Sequence, residues 1–135
     1  MGATRVRERV LAAHRETLAA THDAADEVAV DPAALADGAT LRRRLRARLD
    51  DRGILARYPA VLETAVDAAG LELAAEPVAA PPYVVVASTG PLCRGSTDGG
   101  RLVLAVCVFA VESGSRRYAR ATMDPGGAFT VAFRR

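Results

Sequence analysis

The sequence lacks four residue types altogether: lysine, asparagine, glutamine and tryptophan. Without lysine the chain cannot form a Schiff base, and it has no phosphate-binding loop of the G-x-x-x-x-G-K-[ST] kind. Without amide side chains it cannot read adenine through the usual bidentate contact. These absences exclude lysine-based covalent catalysis and the common nucleotide-binding loop, and they narrow the means of reading a DNA sequence.

Histidine is scarce, and this limits the chemistry further. His14 and His22 are eight residues apart on one predicted helix, about 12 Å along its axis, so they cannot share a metal ion. The chain has no Cys-x-x-Cys pair and no H-E-x-x-H motif. We therefore predict no catalytic residue, no metal ligand and no cofactor. An enzyme would need a deep pocket around His14 or His22.

The two cysteines are Cys93 and Cys107. A tight turn at 97–100 would place residues opposite each other when their numbers add up to an odd value. The numbers 93 and 107 add up to an even value, so the two thiols would point to opposite faces of the sheet. We expect both to be reduced and buried, as in a cytoplasmic protein. The longest apolar run, residues 102–111, is ten residues and too short to span a membrane.

Size and patterning indicate one globular domain over residues 1–135, with a net charge of only +2. Residues 1–75 are predicted helical, 76–82 form a Pro-rich linker, and 83–135 form an antiparallel sheet. The fold class is α+β, with three to four N-terminal helices packed on a four- to five-stranded antiparallel meander. The helices are expected at 4–28, after Asp31, from Thr40 as N-cap to Gly53, and from Pro59 to Gly70.

Five arginines crowd the predicted helix at 41–52, namely Arg42, Arg43, Arg44, Arg46 and Arg48. Leu41, Leu45 and Leu49 form its core-facing stripe, and the arginines wrap around the rest of the surface. Three interpretations stay open: a solvated and partly ion-paired face, a surface for nucleic acid or another polyanion, and a site for a specific anionic ligand.

The predicted strand at 101–112 is apolar on both sides, which is typical of a central strand. One side would seat the helices. The other would combine an apolar centre with an arginine and tyrosine rim, the composition that interfaces favour. The residues predicted for this surface are Phe109, Val111, Tyr118, Arg116, Arg120 and Arg134. Either another part of the monomer covers the surface, or it is an interface with a second copy or a protein partner.

The segments "YPAVLETAVDAAG" (58–70) and "APPYVVVASTGP" (80–91) resemble a group of small, uncharacterised haloarchaeal proteins. The resemblance covers most of the chain and implies no activity. Our leading hypothesis is a non-catalytic cytoplasmic protein that acts by self-association or partner association through the sheet surface. The alternative is a nucleic-acid-associated protein that uses the arginine-rich helix.

Overall fold

The computed structural model describes residues 2–121 and 129–134, and the predicted division into helices and then strands is confirmed. The helices are α1 (Ala3–Ala29), α2 (Pro32–Leu35), α3 (Gly38–Asp51) and α4 (Tyr58–Ala68), with a 3-10 turn at Leu55–Arg57. The strands are β1 (Val84–Ala87), β2 (Gly90–Thr97), β3 (Gly100–Val106), β4 (Phe109–Val111), β5 (Tyr118–Arg120) and β6 (Phe129–Arg134). The sequence also suggests a turn at 123–127, and all of this segment lies outside the described residues.

Helix α1 is amphipathic over its whole length. Its buried residues are Val6, Val10, Thr17, Leu18, Thr21, Ala24, Ala25 and Val28, which recur mostly at three- and four-residue steps. His14 departs from helical geometry, with φ −129° and ψ 26°. Its Nε2 lies 2.7 Å from Thr64 Oγ1 on α4, so the irregular turn is also a point of attachment between the two helices.

Helix α3 begins three residues earlier than its sequence indicated. The prediction that Thr40 caps this helix is wrong. Asp37 is the cap, and its carboxylate accepts hydrogen bonds from the Thr40 amide at 3.1 Å and the Thr40 hydroxyl at 2.7 Å. These bonds lower the pKa of Asp37, and the negative charge suits the helix N-terminus.

Four strands form the main sheet, in the antiparallel order β1-β2-β3-β6. The register brings Cys93 opposite Leu104, and Leu104 opposite Val131. One face of this sheet packs against the helices. Its buried side chains are Val84, Val86, Cys93, Leu102, Leu104, Val106 and Phe129, and they join the helix stripes in one hydrophobic core.

The predicted strand at 101–112 is in fact two strands in different sheets. The chain leaves the main sheet after Val106, and the amides of Val108 and Phe109 both donate to the Thr89 carbonyl, at 2.7 and 3.0 Å. Strand β4 then pairs with β5 as a separate hairpin, in which Val111 lies opposite Tyr118. Strand β6 therefore takes the place beside β3 that a continuous meander would have given to the next strand along the chain.

Candidate functional site

The main sheet is covered by helices on one side only. The opposite side, here called the open face, consists of Tyr83 and every second residue of β1, β2, β3 and β6. Its side chains are Tyr83, Val85, Ala87, Leu92, Arg94, Ser96, Arg101, Val103, Ala105, Thr130, Ala132 and Arg134. None of these residues is buried, in contrast to the side that faces the helices.

The centre of the open face is apolar. Val85 pairs with Leu92, and Leu92 pairs with Ala105, so these three side chains form one row across the sheet. Val103 lies next to this row on β3, and all four residues are only half-buried. The centre of the open face is therefore a continuous row of aliphatic side chains that the core does not fully enclose.

One end of the open face is basic. The register places Ser96, Arg101 and Arg134 in a single row across β2, β3 and β6. Arg94 stands two residues before Ser96 on the same face. Among the described residues, no carboxylate lies within 4.0 Å of these three arginines. All of the ion pairs that the described residues form involve other arginines. The basic end therefore holds positive charge that no described ion pair balances.

A cleft of about 280 Å³ opens at this basic end. The segment before the proline-rich stretch forms one wall, because the Ala74 amide donates to the Ser96 carbonyl at 3.0 Å and holds the segment along the edge of β2. The cleft is lined by Ala74, Ala75, Pro82, Tyr83, Arg94, Gly95, Ser96 and Arg101. The Arg94 Nε donates to the Pro82 carbonyl at 3.2 Å, which orients the guanidinium.

The six residues predicted as one partner surface do not lie together. Phe109 is 1% exposed, and the Arg120 guanidinium stands 5.9 Å from the centre of its ring. Arg120 is itself held by Asp26 at 2.7 Å and by the Val108 carbonyl at 2.6 Å. For Phe109 the structure thus fits the first of the two alternatives, cover from within the monomer.

The other predicted surface residues divide between two places. Val111 is 56% exposed and Arg116 is exposed, both on the β4–β5 hairpin. The Tyr118 hydroxyl accepts a hydrogen bond from Ser88 at 3.1 Å. It also approaches Gly38 so closely that a Cβ there would lie 2.8 Å from its oxygen, so a larger residue at 38 would force the Tyr118 side chain to shift. Only Arg134 lies on the open face.

The arginine-rich helix α3 has two different sides. Arg44 pairs with Asp31, while Arg48 and Arg52 both pair with Glu27, the former at 3.3 Å. The remaining members of the predicted cluster, Arg42, Arg43 and Arg46, are exposed and take part in none of the ion pairs among described residues. They line a groove of about 320 Å³ together with Ala39, Val85 and Val86.

The groups most suited to acid–base chemistry are occupied in structural contacts. Burial lowers the pKa of His14 and of His22, and the nearby Arg120 lowers that of His22 further. Burial raises the pKa of Cys93 to about 12, so its thiol stays protonated. Cys107 is half-buried, and both cysteines are free. Among residues 2–121 and 129–134, no three His, Cys, Asp or Glu side chains gather to hold a metal ion.

Sequence reasoning missed most of the open face because it looked for the surface on the later strands. The signal was present in the earlier ones: Tyr83, Val85 and Ala87 alternate with Val84 and Val86. In β2, Leu92, Arg94 and Ser96 alternate with Cys93 and Gly95. In each strand, one side carries both polar and apolar residues, while the other side carries only apolar or small residues. This alternation is typical of a sheet with one uncovered face.

The helices over one sheet face and the exposed opposite face define a small two-layer α+β protein. Residues 4–134 match the model of DUF7988, a domain of unknown function, and the chain belongs to this family. No curated protein and no solved structure matches the chain. No helix in the described part of the chain has the length and apolar character needed to cross a membrane.

Proposed function

We propose that the protein is non-catalytic and acts by association, with a second copy or with a protein partner, through the open face. The observation that carries this proposal is the contrast between the two sides of one sheet. The side facing the helices is buried in the core, while Val85, Leu92, Val103 and Ala105 on the other side are left half-buried. An apolar centre with an arginine and tyrosine rim is the composition of an association surface.

The size of the open face indicates what kind of interface it supplies. Four strands about 4.8 Å apart and about six residues long cover roughly 20 Å by 20 Å. A stable interface buries about 800 Å² on each partner. The open face, its basic end included, therefore supplies about half of such an interface, and neighbouring surfaces of the chain must contribute the rest of the contact for a stable complex.

The test compares two glutamate variants in the native chain. Ala105→Glu puts a charge in the centre of the open face, between Leu92 and Thr130, whereas Val111→Glu puts the same charge on the β4–β5 hairpin. We expect the first to weaken association at least about tenfold, because an unpaired carboxylate would have to lose its water, and the second to leave it unchanged. Size exclusion with light scattering, and cross-linking in cell extract, measure the association.

A monomer that captures no partner in extract would overturn the proposal. Loss of association in Val111→Glu alone would move the interface to the hairpin surface that the sequence first suggested. A far-UV spectrum and a melting curve for each variant show that the fold is intact.

The second candidate is polyanion binding by α3, which is favoured by the three arginines on its groove side. Their guanidinium groups are exposed and take part in no described ion pair. Binding to DNA or RNA should weaken steeply with salt, and Arg46→Gln should lower the salt slope by about one. The control is Arg44→Gln, since Arg44 pairs with Asp31. No binding at low salt would remove this candidate.

We further propose a cytosolic location and a haloarchaeal source. The two free cysteines support a reducing compartment. The source rests on the resemblance of residues 58–70 and 80–91 to small haloarchaeal proteins.

A further inference from the structure

The cleft at the basic end of the open face has the elements of an anion site. Arg94 and Arg101 stand on neighbouring strands and both line it, together with Tyr83, Ser96 and Pro82. Arginine carries five N–H donors, and the Arg94 Nε is the one bound to the Pro82 carbonyl. The two terminal nitrogens of Arg94 are left for a ligand, in the fork arrangement that fits an oxyanion.

The charge around the cleft gives a second, independent reason. Arg101 and Arg134 are direct cross-strand partners on one face, and like charges in that position destabilise a sheet. Among the described residues, no Asp or Glu forms an ion pair with Arg94, Arg101 or Arg134. Other arginines of the chain do have such partners, as Arg44 and Arg120 show. A bound anion would relieve the repulsion.

We propose that this cleft binds the phosphoryl group of a small organic phosphate. A phosphate monoester carries close to two negative charges near neutral pH, which matches two guanidinium groups better than a single carboxylate does. Ser96 adds a hydroxyl donor. Tyr83, Pro82 and the alanines at 74 and 75 form a less polar wall for the organic part. The site depends on the cleft alone and does not require the association proposed above.

The test is titration of the native chain with inorganic phosphate and with phenyl phosphate, followed by isothermal calorimetry and by NMR of the arginine side chains, at constant ionic strength. We expect saturable binding, tighter for phenyl phosphate because of the apolar wall. Arg101→Gln should weaken it at least about tenfold, since a charge-assisted contact is lost. Arg15→Gln, an exposed arginine on α1, is the matched control and should bind as the native chain does.

Arg101 is exposed, so its substitution leaves the core intact, and Arg94→Gln serves as the second variant. No saturable binding of either phosphate overturns the proposal, and so does an equal loss of binding in Arg15→Gln. Tighter binding of benzoate than of phenyl phosphate overturns the choice of a phosphoryl group. Light scattering on the same samples keeps the two proposals apart, because phosphate binding by a monomer supports the site even where association fails.

Discussion

At the scale of single residues, the best-defined polar contact of the core is the pair formed by Thr21 and Tyr58. Their oxygens lie 2.6 Å apart, and the Thr21 hydroxyl also donates to the Thr17 carbonyl at 2.8 Å. A hydroxyl has one proton to donate, so the Tyr58 hydroxyl is the donor to Thr21. Burial raises the pKa of Tyr58, which keeps the phenol in the protonated form that this role needs.

This assignment predicts an order of stability for two variants. Tyr58→Phe removes the donor but leaves the Thr21 hydroxyl bound to Thr17, so we expect a loss of about 0.5–1.5 kcal/mol. Thr21→Val leaves the buried Tyr58 hydroxyl without an acceptor, and we expect a loss of about 1–3 kcal/mol. Urea unfolding measures both, with Tyr83→Phe on the open face as control. A larger loss in Tyr58→Phe than in Thr21→Val would contradict the donor assignment.

Contacts of this kind were beyond sequence reasoning. Thr21 and Tyr58 are 37 residues apart, and His14 and Thr64 are 50 apart. Periodicity can show which side of a helix faces the core, but no local pattern shows which hydroxyl on another helix will meet Thr21. The same holds for Arg120, whose contacts with Asp26 and His22 depend on how the hairpin docks on α1.

At the scale of elements, α3 has two groups of residues with different roles: buried leucines that dock the helix on the core, and exposed arginines on its surface. Leu41, Leu45 and Leu49 are each 0% exposed, as the stripe predicted. The arginines are exposed, and the side chains in the pair of Arg44 with Asp31 are 48% and 39% exposed. Apolar burial, and not the ion pairs, should therefore supply most of the docking energy of α3.

A pair of alanine variants measures this division. Leu45→Ala should lower the free energy of unfolding by about 2–5 kcal/mol, because it leaves a cavity in the core. Arg44→Ala should lower it by no more than about 1 kcal/mol, the usual range for an exposed ion pair. Both can be read from urea unfolding at the same salt concentration. A cost above about 2 kcal/mol for Arg44→Ala would give the arginine network a structural role that its exposure does not suggest.

The element that sequence reasoning described least well is the apolar segment 101–112. Its residues are apolar on both sides, so alternation cannot show where one strand stops and the next begins. The break depends on the Thr89 carbonyl, which lies in another turn and accepts the amides of Val108 and Phe109. The helices were easier to predict, since Asp31, Pro32 and Pro59 mark their starts within a few residues.

At the scale of the whole molecule, charge is distributed unevenly between the two layers. Four of the five ion pairs among described residues join residues of the helical half, and the fifth ties the hairpin to α1. The open face lies on the side of the sheet away from the helices. Its three arginines, Arg94, Arg101 and Arg134, take part in none of these ion pairs. The net charge of +2 conceals this separation, because it sums over both layers.

At the basic end of the open face, replacing one arginine by an acidic residue should stabilise the fold. Arg134 stands directly opposite Arg101, so Arg134→Glu turns a repulsive cross-strand pair into an attractive one. We expect a gain of about 0.2–1 kcal/mol in unfolding free energy, decreasing as salt rises. Arg116→Glu on the hairpin makes the same change in net charge without a facing arginine, and it should give a smaller gain. Adding Arg101→Glu to Arg134→Glu restores like charges and should cancel the gain; if it does not, the repulsion between these two residues is not what the first substitution relieves.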